Sequence, residues 1–71
     1  MAGLIFQKLD PFSFLCQLDG AQIGVVVYSP TVYYSWSFRN AQGNVMTFGS
    51  TKYQAVKNYV SFFLEVGNDG K

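Results

Sequence analysis

The ionisable residues of this chain are few, and they limit the chemistry open to it. Its 71 residues include four acids (Asp10, Asp19, Glu65 and Asp69), five lysines and arginines, a single cysteine and no histidine. Without histidine, the usual general base near neutral pH is missing. Asp10 and Asp19 stand in the turn-forming contexts Asp10-Pro11 and Leu18-Asp19-Gly20, Glu65 falls on a polar helix strip, and Asp69 lies in a polar C-terminal tail. No two of them have the spacing of a paired acid and base. Cys16 needs an activating neighbour to act as a nucleophile. It alternates instead with Phe14 and Leu18, the position of a small core residue. No phosphate-binding glycine loop and no metal-ligand spacing is present. Asn68-Asp69-Gly70 matches a fragment of a calcium loop whose other ligands are absent. The expectation is a protein with no catalytic residues, no cofactor and no metal.

Composition narrows the alternatives further. Hydrophobic residues make up 49% of the chain and aromatics 18%, while charged residues reach only 13%; ordinary domains carry about 25%. That balance excludes disorder, which needs low hydrophobicity and high net charge. A net charge of +1 argues against duplex DNA as a mainly electrostatic partner. A domain this small buries only about 60% of the surface its unfolded chain exposes. The help that small domains need comes from disulfides, metals or partners, and one cysteine cannot form an intrachain disulfide. A dense apolar core, self-association or docking on something larger remains. No run approaches the roughly 20 apolar residues that span a bilayer. Met1 to Phe6 lacks the basic start of a secretion signal. With a lone reduced thiol, these features predict a cytoplasmic protein with no membrane partner.

The elements follow from the turn signals and the periodicities. Asp10-Pro11, Asp19-Gly20, Ser29-Pro30 and Asn40-Ala41-Gln42-Gly43-Asn44 divide short runs of strand formers. Phe12 to Leu18 alternates, and Asp19-Gly20 predicts a hairpin to Ile23–Tyr28, a nearly continuous apolar run expected to be covered on both faces. Val32 to Arg39 alternates most clearly, and Asn44 to Phe48 is its predicted hairpin partner. Leu4 to Leu9 is a further candidate strand. The period then changes. Thr51-Lys52-Tyr53-Gln54 fits a capping box, Lys52 to Val66 has neither Pro nor Gly, and Gly67 stands at the C-cap position. The predicted fold is one α+β domain spanning residues 1–71: an antiparallel sheet of about four strands in chain order (β-β-β-β-α) with one C-terminal helix on one face. The predicted core comprises Phe14, Val25, Val27, Tyr34, Trp36, Phe38, Phe48, Val56, Val60 and Phe63.

The helix carries more apolar surface than one sheet needs. Tyr53, Val56, Val60, Phe63 and Leu64 form a stripe suited to the sheet, and Ala55, Tyr59, Phe62 and Val66 form a second stripe beside it. Together they span roughly 200°, against a little over 100° for a helix lying on a single sheet. Either a strongly curved sheet or the N-terminal segment wraps over the second stripe, or Tyr59, Phe62 and Val66 meet another chain. On the sheet, Tyr33 and Arg39 are candidate contact residues of the same kind, or Tyr33 lies across its strand neighbours.

The functional expectation is therefore non-catalytic protein–protein contact. The chain would act as a homo-oligomer, or as a small accessory subunit or inhibitor docked on a larger complex. A phage or mobile-element protein that blocks a host machine would have this size and character. The rival expectation is a small nucleic-acid-binding module stacking bases on Tyr28 and Tyr33, with Arg39, Lys52, Lys57 and Lys8 as the sparse basic set. Over residues 32–66 the order of aromatic strand, tight turn, strand and capped helix resembles the three-stranded arm-binding domains of phage integrases. That resemblance lies in element order alone, and it implies a nucleic-acid partner.

Overall fold

The computed structural model describes residues 3–30 and 34–64. Five antiparallel strands run in chain order across one sheet: β1 (Leu4–Asp10), β2 (Ser13–Leu18), β3 (Ala21–Tyr28), β4 (Trp36–Arg39) and β5 (Val45–Gly49). A helix follows, α-helical over Lys52–Tyr59 (α1) and continuing as a π-helical turn over Val60–Leu64. The α+β class and the chain-order sheet are as expected. The strand count is five rather than about four, because Leu4–Asp10 pairs along its length with β2.

Each described turn is held by the residues that marked it. Asp10 Oδ1 accepts from the Phe12 N–H at 2.8 Å, an Asx-turn between β1 and β2. Asp19 (φ 52°) and Gly20 (φ 84°) both take left-handed conformations, as a two-residue hairpin with the favoured twist requires. Asn40 Oδ1 accepts from the N–H groups of Gln42 and Asn44, both at 3.0 Å, and so closes the β4–β5 connection. The uncharged runs Phe12 to Leu18 and Ile23 to Tyr28 fall in β2 and β3, which have a neighbour strand on each side and so expose no free edge.

Register assigns the faces. Phe14 lies opposite Val26, Val26 opposite Phe38, and Phe38 opposite Thr47, so this row shares one face. α1 packs there, with Tyr59 against Phe38 at 4.3 Å between ring centroids. Cys16, Val26, Phe38, Ala55, Val56 and Val60 form the buried core. Val25 and Val27, expected inside, belong to the opposite face with Leu15 and Arg39, and that face is open. The apolar run of β3 is therefore covered on one side only. Register shifts in the β1–β2, β2–β3 and β4–β5 pairs add local twist.

β4 starts at Trp36, later than the alternation suggested; Tyr34 precedes it and is exposed. Phe48, opposite Ser37, faces away from α1 and is 52% exposed. Phe63, also expected in the core, is 50% exposed. The burial stripe of the helix runs through Ala55, Val56, Tyr59 and Val60, between the two stripes expected from sequence. Tyr53 and Leu64 consequently lie outside it and are exposed. At Val60 the hydrogen bonding widens from α to π, which adds residues to the turn. Phe63 then stacks on Tyr59, at 5.4 Å and 26°, rather than entering the sheet contact.

Thr51 caps α1 as expected, its hydroxyl accepting from the Gln54 N–H at 3.0 Å. The reciprocal half of the capping box is absent, because the Gln54 amide donates forward to Asn58 Oδ1 at 2.8 Å. The proposed cap at Gly67 lies outside the described residues. The start of the helix rests directly on β5: a Cβ placed on Gly49 would collide with the backbone of Gln54 and Ala55. The buried Thr47 hydroxyl donates to the Ala55 carbonyl at 2.7 Å and ties strand to helix a second time. Gly49→Ala should therefore destabilise the fold by about 1–3 kcal/mol, the usual cost of forcing a methyl into a packed contact. Urea unfolding checks this, and an unchanged midpoint would mean that the helix does not sit on Gly49.

Candidate functional site

Two aromatic constellations stand out, one on the helix side of the sheet and one around the β5 edge, and they differ in how much surface they leave free. The first runs across the inner face of β1 to β4. Phe6 meets Phe14 edge-on at 6.5 Å, Phe14 meets Trp36 at 5.8 Å, Trp36 meets Tyr28 at 5.2 Å, and Tyr28 stacks on Phe12 at 6.1 Å. Above it, Lys52 in the first turn of α1 extends its ammonium over three of these rings, 4.4 Å from the Phe14 centroid, 5.4 Å from Trp36 and 5.6 Å from Phe6. The lysine stem shields the rings where α1 does not reach, and the ring faces hold the charge. Lys52 and the neighbouring rings cover Phe6, Phe14 and Trp36, while Phe12 at the end of the row is 58% exposed.

The second constellation borders the free edge of β5. Tyr34 and Phe48, at 6.4 Å and 42°, form one wall; Phe62 and Phe63 from the π turn form the other; Met46 and Asn58 contribute to the lining. They enclose an open groove of about 580 Å³. Phe62 is 64% exposed and Tyr34 57%, and Leu64 stands exposed next to Phe63 in the chain. Two polar side chains of the groove, Asn58 and Thr47, are already engaged. Asn58 Nδ2 donates to the Phe48 carbonyl at 2.8 Å, Asn58 Oδ1 accepts from Gln54, and the Thr47 hydroxyl is spent on Ala55. Asn58 thereby closes part of the β5 edge, which makes strand addition at Phe48 unfavourable. Among the described residues, none that lines the groove is charged. The groove can bury apolar surface, and it has no group suited to proton transfer.

The expected contact residues are dispersed. Phe62 stands on the groove wall. Tyr59 is half-buried between Phe38 and Phe63 and supports that wall from below. Arg39 lies on the opposite sheet face between Val25 and Val45, and its Nε is buried with no hydrogen-bond partner among the described residues. Tyr33 and Val66 lie outside the described residues. The basic set is divided: Lys52 is held over the rings and Lys8 lies opposite Phe14 on the same side, while Arg39 is on the far face. Sequence periodicity places Tyr34, Phe48 and Phe63 in the core, and the structure exposes all three. Alternation gave no hint that β4 starts late or that the helix widens.

Cys16 is fully buried, opposite Phe6 and Gly24. Burial pushes its thiol up to about 12 from an ordinary 9.0, slightly offset by a backbone hydrogen bond from Val26. Among the described residues, no three His, Cys, Asp or Glu side chains converge as a metal site would require. No described helix is long and apolar enough to cross a membrane. The chain matches no protein-family model, no curated protein and no solved structure.

Two measurements follow. Below pH 9 both folded and unfolded states keep the Cys16 thiol protonated; above it only the unfolded state ionises, so stability should fall between about pH 9 and about pH 12. Cys16→Ala should flatten that part of the pH profile, and native protein should resist thiol reagents until it unfolds; rapid native labelling would contradict the burial. Lys52→Met keeps the apolar stem and removes the charge. It should cost about 1 kcal/mol and shift the emission of Trp36, the single tryptophan. Unchanged stability and emission would show that the cation–ring contacts carry no weight.

Proposed function

We propose that this is a non-catalytic protein-interaction protein, working as a homo-oligomer or as a small accessory subunit or inhibitor docked on a larger complex. One observation carries this reading: the groove along β5 exposes Tyr34, Phe48, Phe62 and Phe63 together. Each such ring represents about 150–250 Å² of side-chain surface. A contiguous apolar patch of this kind on a small domain marks a contact site. Aromatics are also the residues enriched at the centres of protein interfaces. The polar lining is hydrogen-bonded internally, so what the site offers a ligand is apolar area and shape.

The nucleic-acid alternative draws less support. Its aromatics on the helix side pack against one another, Lys52 is held over their rings, and of its other cations Lys8 lies beside them while Arg39 is on the far face.

Phe62→Glu tests the proposal, because a side chain 64% exposed contributes little to the isolated fold. The variant should keep its circular dichroism spectrum and its urea midpoint within about 0.5 kcal/mol, while self-association or binding of a purified partner is lost. A variant that folds and associates like the parent would remove this groove as the contact site. In the same experiment, oligonucleotides should not bind at low salt; salt-sensitive binding would favour the nucleic-acid alternative.

A further inference from the structure

We infer that the occupant of the β5 groove is a second copy of this chain, related by a two-fold axis that places the Phe62–Leu64 projection of each copy in the groove of the other. This rests on the groove being an interaction surface, and it names the partner. Charge and polarity provide the first argument. Among the described residues the groove has no charged lining residue, and Thr47 and Asn58 are committed to Ala55, Phe48 and Gln54. A charged or polar partner would lose hydration there and gain nothing in return. The matching surface has to be apolar and uncharged. This chain carries such a surface at the groove's own rim, where Phe62, Phe63 and Leu64 project from the π turn at 64%, 50% and 45% exposure.

Geometry and area support the same choice. A projection beside a recess on one face is the arrangement that a two-fold contact satisfies twice, each copy filling the other. Tyr34, Phe48, Phe62, Phe63 and Leu64 together expose roughly 500 Å² per chain on the usual area of such side chains. Two copies would thus bury roughly 1,000 Å², about the minimum for a specific interface. A net charge of +1 per chain opposes the approach of two copies only weakly. The open sheet face is a poorer candidate. Gln7, Gln17, Ser13 and Arg39 break up its apolar residues, Ile5, Leu15, Val25, Val27 and Val45, and among the described residues it has no recess for a projecting side chain to fill.

The test combines solution mass by light scattering, from about 1 µM to 1 mM, with the binding of a hydrophobic fluorescent dye. The inference expects the mass to rise from one chain to two. Phe62→Glu, and independently the milder Phe62→Ser, should weaken association by about 30-fold or more, as for a central interface residue. A dimer unaffected by either variant in folded protein would overturn the inference by placing the contact elsewhere. A single-chain mass throughout, with dye bound by the parent and lost in Phe62→Glu, would overturn the second copy but leave the groove open to another partner. A single-chain mass with no dye binding would overturn both the inference and the proposed interaction surface.

Discussion

The seating of α1 on β5 is the constraint on which the rest of this structure depends. Gly49 lets the helix backbone approach the strand without a side chain between them, and Thr47 uses its hydroxyl on the Ala55 carbonyl. Asn58 makes a third tie, to the Phe48 carbonyl, one helical turn further on. Together these fix the helix over the β3–β5 end of the sheet, so its burial stripe is narrow and centred on Ala55, Val56, Tyr59 and Val60. Everything the helix carries outside that stripe must find another place.

The consequences fall at opposite ends of the helix. At its start, α1 does not reach over β1 and β2, and Lys52 covers the inner rings of Phe6 and Phe14 in its stead. A cation thereby does the covering that a larger domain would assign to aliphatic side chains. At its far end the helix has passed the sheet, and the π turn directs Phe62, Phe63 and Leu64 outward beside the β5 edge. The aromatic groove is thus the geometric remainder of a close helix–strand seat. It is apolar because the polar groups near it, Thr47 and Asn58, already serve that seat.

Local codes were legible in the chain, and long-range choices were not. Asp10, Asp19-Gly20, Asn40 and Thr51 each form the turn or cap their types announced, because the hydrogen bonds concerned close within a few residues. β3 shows the limit. In Ile23–Tyr28 nearly every residue is apolar, so no period distinguishes Val26 from Val25 and Val27, and only pairing with Phe14 and Phe38 selects the buried face. The candidate site was partly visible in the same way. The excess of apolar helix surface pointed to Phe62, but its neighbours Tyr34 and Phe48 looked like core because they continue the alternating strand pattern.

By itself, then, the sequence determined the number and kind of most elements, where the helix begins, and the absence of histidine and of a second cysteine from the available chemistry. These are properties of residue type or of short-range hydrogen bonding, and need no distant partner. Tertiary structure alone decided which aromatics are buried, which surround Lys52 and which line the groove. Those outcomes turn on where a helix of fixed pitch meets a twisted sheet, and residues far apart in the chain (Phe6, Trp36 and Lys52; Tyr34, Phe48 and Phe62) become neighbours only once that meeting point is set.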